Sequence, residues 1–294
     1  MNVLITSAGG TNGVNIINAL NGLARIIAVD TEELSAGLYM SDVWFIVPRA
    51  DNNRFIPVIK DICLREKIDI IFPGHSADIR AFIDNPELSN KMVMSPKQVY
   101  DITENKIFCR AFLSNIGIKI PEQYPKDFPV IVKPIIGTGS KNVSRADNKK
   151  ELDFYYGKDM FYEKFIEGVE YTIDGVSDFN GKMVCALPRI RLEKRGGLAT
   201  KCVTEKNSEL VKFVKRIVEK IGIVGVWNVQ CIKTNGDYYF IDVNNRFPSG
   251  GMPLDIASGM NTPLILMDIL KGIKPIVNIE YGKTMIRYYS AVIL

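Results

Sequence analysis

The sequence predicts an α/β, doubly wound (Rossmann-like) N-terminal domain followed by an α+β region built around an antiparallel hairpin. Three observations lead there. Val3–Thr6 is a short apolar strand run, followed by the turn Ser7-Ala8-Gly9-Gly10-Thr11-Asn12-Gly13 and a helical pattern through Val14, Ile16, Ile17 and Leu20. Strand, glycine turn and helix open a doubly wound unit. Strand and helix patterns then alternate to about residue 95, as a parallel sheet requires. Farther on, two strand-forming runs flank Thr234-Asn235-Gly236-Asp237, a strong hairpin signal.

Size and composition narrow the class. The 294 residues are enough for two or three small domains. Hydrophobic residues make up 47% and charged residues 24%, the balance of an ordinary soluble globular protein. Thirty-seven basic and 33 acidic residues leave a net charge of +4, which makes no electrostatic case for nucleic acid or membrane as the main partner. Cys63, Cys109, Cys185, Cys202 and Cys231 are scattered and never in C-x-x-C spacing, so a reducing cytoplasm is expected rather than a disulfide framework. No apolar run is long enough to span a bilayer. The chain starts directly on a strand pattern, so no signal peptide is expected. His75 is the one histidine, which excludes a histidine-rich metal site.

Taken in order, Ile26–Val29 is a second strand ending at Asp30. Gly9, Gly10, Gly13 and Asp30 resemble a dinucleotide fingerprint, but the turn reads G-G-x-x-G. A tight turn packing helix on sheet accounts for it better. Trp44–Val47 is a strand, Arg54–Glu66 a helix and Ile68–Phe72 a strand. Pro73–Asp78 then falls at the carboxyl edge of the sheet, where open α/β sheets bind ligands. His75 and Asp78 are candidate substrate contacts there, or Ser76 merely caps a helix. Lys91–Met94 completes the N-terminal domain as a last strand. Helices follow over 96–102 and 105–116, the second closed by Gly117. Pro121–Pro125 is a connector. Val130–Pro134 is a strand leading into Gly137-Thr138-Gly139-Ser140-Lys141, a loop suited to wrapping phosphates or simply exposed. Phe161–Gly168 is a strand that runs on into Glu170–Gly175, and Met183–Leu192 is another, carrying Arg189 and Arg191. Lys194–Gly197 reads as a basic flexible loop and Glu209–Ile221 as an amphipathic helix. Short helices are expected over 254–258 and 263–271, and a final strand over Ile286–Ile293.

The hairpin carries the most information. Trp227, Val229 and Cys231 alternate with Asn228 and Gln230, while Tyr239, Ile241 and Val243 alternate with Asp242, Asn244 and Arg246. A two-residue Asn-Gly loop would pair Gln230 with Ile241 and put Trp227 opposite Asn244, mixing core and solvent residues on both faces. A three-residue loop, or a bulge at Gly236, pairs Gln230 with Asp242 and keeps the apolar set together. Gln230, Asp242 and Asn244 then share one face, where hard oxygen donors suit magnesium. A solvated polar face is the alternative.

The motifs also come in a telling order. Lys106, V-I-V-K-P with its glycine loop, Y-E-K-F-I-E-G-x-E-Y-T-I-D, and N-V-Q…F-I-D-V-N-N-R together resemble the ATP-grasp family. The likeness is to carbamoyl-phosphate synthetase large subunits and related carboxylate–amine ligases. The resemblance spans nearly the whole chain and implies a Rossmann-like domain over 1–95. A two-lobed ATP-grasp domain follows, its small lobe with linker helices over 96–160 and its large lobe with the metal and substrate site over 161–294. It implies that Lys106 and Lys133 contact the nucleotide phosphates and that Gly137, Gly139, Ser140 and Lys141 close over them. Glu163 would accept from the adenine amino group, with the backbone of Phe165 and Ile166 along the base, and Glu170 would hold the ribose. Gln230, Asp242 and Asn244 would bind Mg2+, or Mn2+ in its place, and Arg246 with Lys133 would be catalytic. The family usually has Glu where Asp242 stands, and a longer glycine loop.

The implied chemistry suits those residues. A carboxylate becomes a good electrophile once phosphorylated, and phosphoryl transfer needs positioning and charge neutralisation more than a nucleophile–base pair. The expected function is an ATP-dependent carboxylate–amine ligase acting through an acyl phosphate and releasing ADP and phosphate. Its partners would be a small-molecule acid and an amine, and it would work as a cytoplasmic protein, alone or as a homodimer. Arg189, Arg191 and Lys194 are candidates for holding the acid, as are Gly9, Gly10, His75, Ser249 and Gly250. An exposed basic strand edge explains the arginines as well. Three other readings stay open: a carbamoyl-phosphate-synthetase-like subunit or fragment, a nucleotide-binding module without turnover, and an NAD-binding protein.

Overall fold

The computed structural model describes residues 1–137 and 141–294. The chain opens with β1 (Asn2–Thr6), α1 (Thr11–Leu20), β2 (Arg25–Asp30), α2 (Ala36–Tyr39) and β3 (Val43–Ile46). It continues through α3 (Phe55–Arg65), β4 (Ile70–Pro73), α4 (Ser76–Ile83) and α5 (Pro86–Ser89). These strands form a parallel sheet in the order β3-β2-β1-β4, with its core strands apolar on both faces, as a sheet covered by helices on each side requires. Lys91–Met94 is not a further strand. The Ile71 N–H donates to the Lys91 carbonyl, and the chain then leaves the sheet. It is held instead by Ser95, whose hydroxyl accepts from the Val224 N–H at 2.8 Å.

Helices α6 (Lys97–Glu104) and α7 (Lys106–Asn115) follow, and the Asn105 side chain caps α7 by accepting from the N–H groups of Ile107 and Phe108. Next come β5 (Val130–Pro134), β6 (Ser144–Ala146), α8 (Lys149–Tyr155) and β7 (Met160–Lys164), whose strands make a small antiparallel sheet ordered β6-β5-β7. The long strand expected from Phe161 onward is two strands in two sheets. After β7 the chain crosses at Phe165–Gly168 and enters β8 (Val169–Ser177). Gly168 is required at this crossing, since a Cβ there would lie 2.3 Å from the Lys233 carbonyl oxygen.

The large sheet contains β8, β9 (Met183–Arg195), β10 (Leu198–Thr204), β11 (Gly225–Thr234), β12 (Asp237–Asn244) and β13 (Thr284–Ile286), in the order β12-β11-β8-β9-β10-β13. Lys194 and Arg195 belong to β9, so the expected basic loop is a tight Gly196-Gly197 turn with φ of 54° and 79°. Helix α9 (Ser208–Ile221) lies between β10 and β11, and α10 (Met252–Ala257) and α11 (Thr262–Leu270) follow β12. The expected strand over 286–293 does not form: β13 ends at Ile286, Tyr288, Tyr289 and Ile293 are exposed, and no strand among the described residues pairs with them.

Two cores flank the large sheet. One joins Trp227, Val229, Cys231, Phe240 and Val243 to the apolar stripe of α9 and to α7. The other joins Val176, Leu187 and Val226 to α11 and to residues of β1, α1 and β4, so the N-terminal sheet shares a core with the large one. Phe72 meets Phe247 edge-on across that junction at 5.6 Å.

Candidate functional site

The β11–β12 hairpin places the central residues. Gln230 lies opposite Asp242 and Asn228 opposite Asn244, the register expected from the sequence. The route to it differs. The turn is two residues, Asn235 and Gly236, both at positive φ (50° and 84°), which fits the strand twist. The bulge sits instead between Phe240 and Asp242, with Ile241 the extra residue. That bulge changes which side chains are inside: Phe240 is 1% exposed, whereas Ile241 faces a cavity.

Three cavities meet at Asp242. The largest, about 360 Å³, lies between the small and large sheets. It is lined by Lys106, Lys133, Gly137, Lys141, Glu163, Phe165, Ile166, Glu170, Gln230 and Ile241, so most of the expected nucleotide residues converge there. Gly139 and Ser140, with Thr138, lie outside the described residues. A second cavity of about 270 Å³ is lined by His75, Arg80, Lys106, Asn244 and Arg246, and so reaches the carboxyl edge of the parallel sheet. The third, about 110 Å³, is lined by Thr172, Arg189, Arg191, Asn228, Gln230, Asn244, Arg246, Ser249 and Gly250. Asp242 is thus flanked by lysines on one side and guanidinium groups on the other.

Several of these side chains are already engaged. Glu163 is buried, and its carboxylate pairs with Lys133 and with Arg110 at 2.8 Å. Burial lowers the pKa of Lys133, an effect the neighbouring Glu163 opposes. Lys106 donates to the Gly137 carbonyl at 2.8 Å and so anchors the start of the glycine loop. Glu170 accepts from Arg191 at 2.7 Å and from Lys194. The Asn244 amide donates to Asn228 and accepts from Arg246, each at 3.2 Å. Burial pushes the Arg246 guanidinium pKa down, against the pull of Asp242. Arg189 is 4% exposed and donates through Nε to Asp174 at 2.7 Å. Its pKa is raised: burial works against the charge, but Asp174 outweighs it. Asp255 is fully buried beside this pair, and burial first and Asp174 second hold its carboxyl well above the usual range. Gly251 packs onto the pair so closely that a Cβ would lie 2.0 Å from Asp174 Oδ2.

The glycine turn of the N-terminal sheet is placed otherwise. Gly9 and Gly10 line none of the cavities around Asp242; the Gly9 N–H donates to Asp30 at 2.7 Å and the Gly10 N–H to the Ser7 carbonyl. His75 is both a cavity residue and the cap of α4, its Nδ1 accepting from the Ala77 N–H at 3.1 Å. Asp78 is buried under the hydroxyls of Thr6 and Ser7, each donating at 2.7 Å, and burial raises its pKa. Two basic residues were not singled out from the sequence. Arg110 has no motif to mark it. Arg287 donates to the Ser249 carbonyl at 2.8 Å and holds the loop that lines the third cavity. Its only sequence signal is a cation between apolar residues near the chain's end.

The donor set fits a hard cation. Gln230, Asp242 and Asn244 offer oxygen ligands, and Asp242 accepts no hydrogen bond among the described residues. Among those residues no group of three His, Cys, Asp or Glu could hold a metal, so any ion would rely on one carboxylate and two amides.

Comparisons with known proteins find likenesses over both parts of the chain. The family model described as ATP-grasp in the biosynthetic pathway with Ter operon matches residues 157–288. The PylC-like N-terminal domain matches residues 3–91. A carbamoyl-phosphate synthase from Methanobrevibacter smithii is 25% identical, over 92% of this chain and 80% of that protein. A carbamoyl phosphate synthase large chain from Helicobacter pylori is 23% identical over 82% of this chain, which spans only 26% of that longer protein. The biotin carboxylase–β-γ-ATP complex from Campylobacter jejuni superposes with a TM-score of 0.75 at 17% identity, covering 96% of this chain and 74% of that one. The biotin carboxylase domain dimer of 2-oxoglutarate carboxylase from Hydrogenobacter thermophilus, in complex with MgADP, ADP and bicarbonate, gives 0.74 at 17% identity, covering 96% and 73%. Over residues 157–288 the chain is similar to the ATP-grasp family, and the ordered motifs, the N-terminal α/β unit and the two facing sheets agree with that likeness.

Proposed function

We propose that the protein is an ATP-dependent carboxylate–amine ligase that activates a small acid as an acyl phosphate. The observation that carries this reading is the position of Asp242, where a lysine-lined cavity and an arginine-lined cavity meet. The small sheet, which runs on through Lys164 rather than ending at residue 160, and the large sheet are the two jaws around the nucleotide. Its phosphates lie along Lys106, Lys133 and Lys141, and its base lies by the backbone of Phe165 and Ile166. Glu163 has about one lone pair left for the adenine amino group after its bonds to Arg110 and Lys133. Glu170 takes the ribose if it exchanges one of its cations for the sugar hydroxyls. Gln230, Asp242 and Asn244 would hold Mg2+, which would neutralise charge on the terminal phosphates.

The acid sits in the third cavity, held by Arg189, Arg191 and Arg246 and by the Ser249–Gly250 loop. At about 110 Å³ this cavity suits a small acid. A carboxylate oxygen attacks the γ-phosphorus, the bond to the β,γ-bridging oxygen breaks and ADP leaves. The amine then attacks the acyl carbon, phosphate departs with the bonding pair and the nitrogen loses a proton. Arg246 faces the transferring group, where charge is greatest in the transition state. The test is to offer a panel of small carboxylic acids with Mg·ATP and hydroxylamine. Acid-dependent formation of a hydroxamate supports the reading, and ATP binding without any acid-dependent ADP release defeats it.

A second reading, a subunit or fragment of a larger synthase, is favoured by the 26% span of the Helicobacter pylori chain. Co-purification of a stable larger complex would support it.

A further inference from the structure

Arg110 has no exposed surface, and nothing in the proposed chemistry yet uses it. It sits on α7, one turn after Lys106. Its Nε donates to Glu163 Oε2 at 2.8 Å and its Nη2 to Oε1 at 3.4 Å. Its Nη1 donates to the Lys106 carbonyl at 3.2 Å, and its Nη2 also donates to the Ile241 carbonyl at 2.5 Å. The guanidinium lies over the rings of Phe161 at 5.1 Å and Phe240 at 5.7 Å. One side chain therefore ties together α7, the small sheet and the edge strand of the large sheet.

Two consequences follow from these contacts. Glu163 also pairs with Lys133. A lone Lys133–Glu163 pair would be neutral and would present little field to a phosphate. With Arg110 the cluster carries one net positive charge. The second consequence concerns Ile241, the extra residue of the β12 bulge, whose carbonyl Arg110 binds. A bulge leaves a ladder group without its strand partner, and a buried one needs another. Asp242 is the next residue, and its place opposite Gln230 depends on that bulge.

We propose that Arg110 is a positioning residue of the nucleotide cleft: it offsets the charge of Glu163, so that the cluster with Lys133 stays net positive toward phosphate, and it fixes the Ile241 bulge that presents Asp242. This rests on the cleft being the Mg·ATP site. A lysine would serve the first role but not the second, because it is a single point charge without the planar fork.

The test is a double-mutant cycle read by titration with Mg·ATP, using the whole chain. Arg110→Met weakens ATP binding about tenfold or more, the size of one lost charge-assisted contact. Glu163→Gln leaves an uncharged acceptor for the adenine amino group, and its own measured ATP affinity is the reference for the double variant. In the Arg110→Met/Glu163→Gln protein, affinity returns to within about threefold of Glu163→Gln, because Lys133 is freed again. A merely structural arginine would give no such rescue, so a double variant as weak as Arg110→Met overturns the charge balance. Arg110→Lys keeps ATP affinity but needs about tenfold more Mg2+ for half-saturation, as expected when a supporting contact to a metal site is lost. An unchanged Mg2+ requirement overturns the second role. If Arg110→Met does not fold, the double variant and Arg110→Lys carry the test, since replacing both partners of a buried pair costs little. Failure of the parent to bind Mg·ATP removes the cleft reading, whereas binding without rescue removes this inference alone.

Discussion

Asp242→Asn separates the site from the fold. Asp242 is half-buried at the end of β12, accepts no hydrogen bond among the described residues and touches no core cluster. Replacing it with its amide changes shape hardly at all. The stability cost should stay within about 1 kcal/mol, as for substitutions away from packed or hydrogen-bonded features. The functional cost should be far larger. Gln230 and Asn244 are neutral, so Asp242 supplies the only negative charge of the proposed ligand set. Losing a group that only hydrogen-bonds to a metal ligand typically costs about 10–100-fold in affinity, and losing the one anionic ligand should cost at least about 100-fold in Mg·ATP turnover. Thermal unfolding measures the first quantity, and acid-dependent ADP release at a fixed Mg2+ concentration that just saturates the parent measures the second. A variant with parental turnover would refute the metal assignment. A variant that unfolds would show that Asp242 acts in the fold instead.

Three further outcomes are expected. Lys133→Met should weaken ATP binding about 10–100-fold, the range for a lost hydrogen bond to a charged group, yet still fold, because Arg110 remains to pair the buried Glu163; titration calorimetry and a melting curve check both. Asp255→Asn should change the pH dependence of stability. The Asp255 carboxyl is raised well above 3.8 by burial and by Asp174, so the folded state binds the proton more tightly than the unfolded chain. Its contribution is fully present below the unfolded value and is lost as pH rises toward the folded value. The variant should therefore melt higher than the parent at neutral pH, with the difference vanishing near pH ~3; a constant offset would contradict a raised Asp255 pKa. Gly251→Ala should destabilise the fold or displace the Ser249–Gly250 loop, because its Cβ would strike Asp174 Oδ2 at 2.0 Å; unchanged melting and turnover would contradict that contact.

Much of the fold was legible because the chain states it locally. The first strand–turn–helix unit, the apolar stripe of α9 and the Asn235-Gly236 turn are all written in short-range pattern. The pairing of Gln230 with Asp242 was legible too, since burial of Val229 and Cys231 demands that register. The place of the bulge was not: the Ile241 carbonyl bonds to Arg110 of α7, far away in the chain, and no local pattern marks that contact. For the same reason Phe240, rather than Tyr239 or Ile241, fills the core. Periodicity could not show that Phe161–Gly175 divides between two sheets, since both halves are good strand sequence. Nor could it show that Lys91–Met94 and the stretch after Ile286 find no strand partner. Local sequence specifies a strand's preference, while its neighbours decide whether it pairs. The engagement of Glu163 with two cations was hidden likewise, as Arg110, Lys133 and Glu163 are separated in the chain and meet only in the folded core.

The most direct test of the central claim follows an oxygen atom. The parent enzyme is given Mg·ATP, hydroxylamine and a panel of small acids labelled with 18O in the carboxylate, and the products are read by 31P NMR. Attack of the acid on the γ-phosphorus, followed by loss of phosphate, leaves one labelled oxygen in inorganic phosphate, with ADP as the other product. Unlabelled phosphate, or label in AMP accompanied by pyrophosphate, would contradict transfer of the terminal phosphoryl group to the acid.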